Sequence, residues 1–190
     1  MLKKIITILL LMSSLSACVP AALVVGATVG GAIIYDNRSV GTMVADKDIA
    51  HQIQYKIYNV PALRTEAHIV VTSFNRVVLM VGQAPTPELQ KQAFELAQSV
   101  SGIRRLYNEV TVAAPTSEKR RVEDSWITTK AKTELLATKD LHSTQMKVLT
   151  ENGTVYLLGL VTQTQGDMAA DVVRRVSGVE RVVKLFEYLH

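Results

Sequence analysis

Val148-Leu-Thr-Glu-Asn-Gly-Thr-Val-Tyr-Leu-Leu-Gly159 decides the fold, because the chain has already spelled it once, as Val71-Thr-Ser-Phe-Asn-Arg-Val-Val-Leu-Met-Val-Gly82. Asn152-Gly153 between two apolar runs is the signature of a two-residue hairpin turn, so the stretch reads as two antiparallel strands. Met146, Val148 and Thr150 alternate before the turn, and Val155, Leu157 and Gly159 after it. The first copy has Phe74-Asn75-Arg76 at the turn and lacks the glycine.

The repetition extends outward on both sides. Asp46 to Ile57 aligns with Asp124 to Leu135, and Val100-Ser-Gly-Ile103 with Val176-Ser-Gly-Val179. The offset drifts from 78 to 77 to 76 residues, so the copies differ by single-residue loop changes. A repeat must be recognised before a fold is assigned. Here it divides the chain into two units of about 67 residues, each able to bury a modest core. Ile49, Ile53 and Ile57 recur at helical spacing, as do Ile127, Ala131 and Leu135, which predicts an amphipathic helix ahead of each hairpin. Thr86-Pro87-Glu88 opens a second helix with a cap, a first-turn proline and an early acid; Gly102 ends it. The matching helix of the second copy is expected over residues 165–177, before Gly178. A last strand closes each unit, Arg105 to Val112 and Arg181 to Leu189. The predicted order is α-β-β-α-β, an α+β class in which two helices cover one face of a three-stranded sheet. The expected divisions are a targeting segment over 1–17, a tether over 18–45, repeats over 46–112 and 124–190, and a linker over 113–123.

Residues 1–17 read as an address. Lys3 and Lys4 precede the apolar run Ile5 to Met12, which is too short to span a membrane. Leu15-Ser16-Ala17-Cys18 resembles the lipobox of bacterial lipoproteins, which implies cleavage after Ala17 and diacylglycerol on Cys18. The alternative is an ordinary signal peptide with a chance cysteine. Cys18 is the only cysteine, so a disulfide does not account for it. Val19 in place of aspartate resembles the pattern that sorts lipoproteins to the outer membrane. Residues 19–34 are apolar and glycine-rich; Gly26 and Gly30 have a helix-packing spacing, but Pro20 and the glycines favour a membrane-hugging tether.

Removing Lys3 and Lys4 with the signal leaves 19 basic residues against 17 acidic, about +2. That balance does not suit nucleic-acid binding. His51, His68, His142 and His190 have no metal-ligand spacing, and no nucleophile elbow or phosphate loop is present. A non-enzymatic protein without cofactor, apart from the lipid on Cys18, is expected.

The strand-glycine signature (Val77 to Gly82; Val155 to Gly159), the helix ending Val-Ser-Gly-Ile/Val, and Arg104-Arg-Leu-Tyr-Asn-Glu-Val110 or Glu180-Arg-Val-Val183 resemble the BON domain. Ser39-Val-Gly-Thr42 and Trp126-Ile-Thr-Thr-Lys130 add to the likeness. Two such units behind a lipobox are similar to the dual-BON outer-membrane lipoproteins. The resemblance implies a periplasm-facing protein that supports envelope integrity, concentrates at division sites and binds anionic phospholipid through its second domain. The sequence departs from the family pattern at the turn of copy one and in lacking the usual Asn after the last helix of copy two.

The first helices of the two copies differ where it matters. With Ile127, Ala131 and Leu135 toward the core, Trp126 points nearly the opposite way, sharing its side with Thr129, Lys130 and Thr133 and flanked by Leu136 and Ala137. An outward tryptophan beside a lysine suits a membrane-water interface. Copy one has Asp48 and Gln52 at the positions of Trp126 and Lys130, so copy two is the candidate phospholipid-binding module. Copy two carries eight basic and eight acidic residues, so local geometry rather than a broad patch must act. Two other readings stay open: Trp126 filling a seam between the repeats, and the same face serving a protein-binding adaptor that positions envelope or cell-wall machinery. Lys119-Arg120-Arg121 is a lesser candidate for lipid phosphates, or a solvated connector.

Overall fold

Each copy of the repeat folds in the order helix, strand, strand, helix, strand, giving an α+β protein. The structure, a computed structural model, describes residues 38–189; Cys18, Gly26, Gly30 and the expected targeting segment lie outside them. The first copy comprises α1 (Val40–Tyr58), a short α2 (Pro61–Glu66), β1 (His68–Phe74), β2 (Val77–Ala84), α3 (Pro87–Gln98) and β3 (Arg105–Val112). The second comprises α4 (Glu118–Ala137), a 3-10 turn at Ser143–Gln145, β4 (Met146–Glu151), β5 (Thr154–Val161), α5 (Gln163–Arg174) and β6 (Arg181–Tyr188).

Both leading helices start earlier than core periodicity alone indicates. The last six residues of the stretch read as tether (40–45), and of that read as linker (118–123), are helical. The reason is capping: the Ser39 hydroxyl accepts from the Thr42 N–H and the Ser117 hydroxyl from the Arg120 N–H, so each helix nucleates ahead of its first buried isoleucine. Helix α2 has no counterpart in the sequence reading; Pro61 at its first turn starts it. Helix α5 begins two residues before the expected start, capped by Thr162, and ends at Arg174.

In each sheet the central strand pairs antiparallel with the strand before it and parallel with the last one, in the orders β1-β2-β3 and β4-β5-β6. Val78 and Met80 of β2 face α1 and α3, in a core with Ile49, Ile53, Ile57, Ala93 and Ala97. Val155 and Leu157 of β5 do the same beneath α4 and α5, with Ile127, Ala131, Leu135, Ala169 and Val173. The alternate residues do not face water. Phe74, Val77, Leu79 and Val81 pack against Tyr156 and Leu158, joined by Tyr107, Leu149 and Val183. The two sheets therefore lie back to back, and the layers run helices, sheet, sheet, helices.

Polar contacts close both ends of this seam. At one, the Gln83 amide donates to Glu151 (2.8 Å) and accepts from the Thr116 N–H (2.9 Å). The Nε2 of His68 lies 3.5 Å from Glu151, and its Nδ1 faces Arg121 at 3.4 Å. A guanidinium only donates, so in the Arg121 contact Nδ1 is the acceptor, which leaves Nε2 to donate toward the carboxylate. Burial pushes the Glu151 carboxyl upward, but hydrogen bonds from His68 and Gln83 and the nearby Arg121 charge outweigh it and hold the group below the usual range. At the other end Asn75 donates to Glu187 (2.7 Å), which also pairs with Arg104, and Lys147 donates to the Ser73 carbonyl (3.2 Å).

Two local features fix each hairpin. Both turns are left-handed at two successive residues: Asn152 (φ 46°) and Gly153 (φ 71°), and likewise Asn75 (φ 52°) and Arg76 (φ 60°). Behind each turn lies a buried carboxylate from the leading helix. Asp124 accepts from the Asn152 and Gly153 N–H groups (2.8 and 2.9 Å). Asp46 accepts from the Asn75 and Arg76 N–H groups (2.8 and 2.6 Å) and the Ser73 hydroxyl (2.7 Å), and pairs with Arg38 (2.8 Å). Arg76 thus holds a backbone conformation that costs an L-residue about 1–2 kcal/mol. Arg76→Gly is expected to raise stability by about 1 kcal/mol, less the entropy glycine adds to the unfolded chain. Chemical denaturation reads this as a higher midpoint at constant slope; a lower midpoint would refute the account of the turn.

The signature glycine within each central strand has its own cause. A Cβ at Gly82 would collide with the His68 carbonyl, and one at Gly159 would lie 2.8 Å from the Gln145 oxygen and 3.3 Å from the Phe186 ring. The neighbouring chain approaches too closely for any side chain.

Candidate functional site

Helix α4 carries the site because its register is set twice. Asp124, Ile127, Ala131 and Leu135 are buried beneath it, which turns positions 122, 126, 129, 133 and 136 outward. Trp126 is 64% exposed and belongs to none of the buried clusters, so it does not fill the seam between the repeats. It stands on the opposite side of α4, away from its own sheet.

The groove beside it is shallow, with a volume of about 620 Å³, and runs between α4 and the C-terminal end of α5. Trp126, Thr129, Lys130, Thr133, Glu134 and Thr138 line one wall; Val172, Arg175, Val176 and Ser177 line the other. Four of the five residues nominated for lipid contact from the sequence are thereby brought together. Leu136, the fifth, is well exposed but does not line the groove; it lies on the α4 surface with Val122, an exposed apolar residue the sequence reading did not single out. The Thr129 and Thr133 hydroxyls donate to the carbonyls of Ser125 and Thr129 one turn back (3.0 Å each), so both hydroxyl protons are already engaged by the helix backbone. Lys130 reaches across and its ammonium donates to the Ser177 carbonyl, where the exposed carbonyls at the end of α5 attract a cation.

Arg175, Val172 and Glu134 were missed by sequence reasoning. Val172 comes from α5 and Arg175 is its C-cap, more than 40 residues away along the chain, and only the tertiary fold puts them opposite Trp126. The resulting surface has an apolar floor at Val172 and Val176, an aromatic at one rim, two cations, and one acid. Such a surface is chemically able to meet an amphiphilic group carrying a negative charge. The basic run ahead of it is otherwise engaged. Arg120 binds Asn152 (3.1 Å) and Glu180, and Arg121 faces His68, which leaves Lys119 as its exposed member. Among the described residues no cluster of histidine, cysteine and carboxylate side chains has the geometry to hold a metal, and no helix is long and apolar enough to cross a membrane.

The equivalent surface of copy one is different. Asp48, His51, Gln52 and Tyr55 stand where α4 has Trp126, Thr129, Lys130 and Thr133, and Ser99 stands for Arg175. Both cations and the tryptophan are absent there.

Comparison with known proteins agrees with the duplicated architecture. The BON domain matches twice, over residues 45–114 and 123–189. The outer membrane lipoprotein DolP of Haemophilus influenzae is 35% identical over 99% of this chain and 97% of its own length. A 21 kDa hemolysin of Actinobacillus pleuropneumoniae is 39% identical over 81% of this chain and 79% of its own. The osmotically-inducible protein Y of Escherichia coli is 27% identical over 76% and 73%. Two BON matches and near full-length similarity to DolP have one meaning: the chain belongs to the BON-domain family, among its two-repeat outer-membrane lipoproteins.

Proposed function

We propose that this envelope lipoprotein is anchored through lipid on Cys18, faces the periplasm, and docks its second repeat on anionic phospholipid of the inner leaflet of the outer membrane. Its work is positional and structural rather than catalytic: support of the envelope, with enrichment at division sites where the local lipid suits the groove. The observation that carries this reading is the exposed Trp126 standing beside Lys130 and Arg175 over an apolar floor. Insertion places the indole at headgroup level and brings a lipid phosphate to the cations, while Val122 and Leu136 meet the acyl boundary. Glu134 limits the site to a single phosphate charge.

Trp126 is the sole tryptophan, so its fluorescence reports this face alone. Titration of a soluble form without Cys18 and the residues before it with vesicles of anionic phospholipid is expected to shift its emission to the blue, and zwitterionic vesicles to leave it unchanged. Trp126→Glu should abolish vesicle binding while leaving thermal stability within about 0.5 kcal/mol, because the side chain is exposed. No shift with anionic vesicles would overturn the reading. A discrete protein adduct on crosslinking from position 126 in cells, with no lipid adduct, would favour the adaptor instead.

A further inference from the structure

Helix α1 exposes its own stripe, on the layer opposite α4. At 100° per residue, Val44, His51 and Tyr55 lie within roughly 20° of the direction pointing away from the buried Ile49, Ile53 and Ile57, and Val40, Asp48 and Tyr58 within roughly 40°. All six are exposed, Tyr55 by 62% and Tyr58 by 59%. Residues Val44, Tyr55 and Tyr58 fall at the repeat positions of Val122, Thr133 and Leu136, so the same face is kept outward in both copies but is differently furnished.

The order along this stripe is self-complementary. Aliphatic residues and an acid occupy the N-terminal half; a histidine and two tyrosines occupy the other. In an antiparallel pair of α1 helices, residues whose numbers sum to 98 or 99 stand at one height, since each residue rises 1.5 Å. Val44 then meets Tyr55 of the second copy, Asp48 meets His51, and Val40 meets Tyr58. A two-fold pair makes each contact in both directions; particular to this stripe is that the matched positions set aliphatic against aromatic twice and a carboxylate against an imidazole. Helix α4 lacks this match, having no acid at the position of Asp48.

The geometry points to α1 as a self-association surface that pairs two copies of this chain antiparallel through Val40, Val44, Asp48, His51, Tyr55 and Tyr58. The inference goes beyond the lipid reading and stands without it. One helix face covers less than the roughly 800 Å² per partner of a standard stable interface, so the pair is weak in dilute solution. It forms where membrane confinement raises the local concentration to about millimolar. Since α1 and α4 lie on opposite outer layers, pairing turns the two α4 grooves in opposite directions, so only one of them meets a given membrane at a time.

The test is disulfide formation between full-length chains reconstituted together in zwitterionic vesicles, one carrying Val44→Cys and the other Tyr55→Cys. The mixed pair is expected to crosslink at least five-fold more than either variant alone, because like positions are separated by about 16 Å along the axis. The parent chain and Lys119→Cys, on the opposite layer, set the collision background. Asp48→Arg in both chains should reduce the mixed yield several-fold, and the exchange Asp48→His with His51→Asp should restore it. Equal yields for all combinations, excess of the like pairs, or a mixed yield at the Lys119→Cys background would each overturn the proposal.

Discussion

Asp46→Ala is expected to lower the melting temperature by roughly 10 °C. The Asp46 carboxylate takes three hydrogen bonds and an ion pair at distances of 2.6–2.8 Å, and is buried. Hydrogen bonds to a charged group contribute about 1.5–3 kcal/mol each, not fully additively, and removing the acceptor strands the two turn N–H groups and the Ser73 hydroxyl. A total of about 3–5 kcal/mol follows, a large part of the 5–15 kcal/mol that holds a domain. At about 2–4 °C per kcal/mol for a body of this size, the shift is easily measured by calorimetry. Asp46→Asn should lose less, because the amide oxygen still serves one turn N–H while its NH₂ opposes the others. Loss in Asp124→Ala should be smaller than in Asp46→Ala, since Asp124 serves two backbone donors and no hydroxyl. A shift below about 3 °C for Asp46→Ala would show that the hairpin does not depend on this carboxylate.

Leu79→Asp is expected to do comparable damage by a different route. Leu79 is inaccessible to solvent in the centre of the seam, pointing away from its own helices and toward Tyr156 and Leu158. A carboxylate there is surrounded by apolar and aromatic side chains; deprotonated, it opens the seam, and protonated, it leaves polar atoms unsatisfied. The cost is about 4 kcal/mol or more. The native protein should melt in one transition followed by both repeats together. Leu79→Asp should lower that midpoint and raise amide exchange in β2 and β5 at once. A midpoint like that of the parent, or exchange confined to the first repeat, would contradict back-to-back packing.

Much of the fold was legible because the repeat wrote it twice. Element order, hairpins and the start of α3 followed from turn, cap and periodicity signals that act locally; its end did not, since the helix stops at Gln98 with Ser99 as its cap rather than running through Val100 to Gly102. The seam carried a signal too, in the unbroken apolar run Val77 to Val81. A strand that faces water on one side alternates; this one does not, as expected of a strand buried on both faces. Asp46 and Asp124 were also within reach, each sharing the core-facing side of its helix with isoleucine, where an acid must find partners. Trp126, Lys130, Thr129 and Thr133 could be placed on one face from the helical period alone. Arg175, Val172 and Val176 could not, because the angle at which α5 lies beside α4 is set by packing over the whole second core.

Back-to-back sheets also make the molecule a spacer of fixed height. With sheets packed about 10 Å apart and helices about 10 Å in diameter on either side, the two outer surfaces stand roughly 40 Å from each other. No hinge lies between them, since the seam is filled by Phe74, Leu79, Tyr156 and Leu158. Whatever seats on α1 is therefore held at a constant stand-off from whatever seats on α4, and pairing through α1 doubles that distance without altering its rigidity.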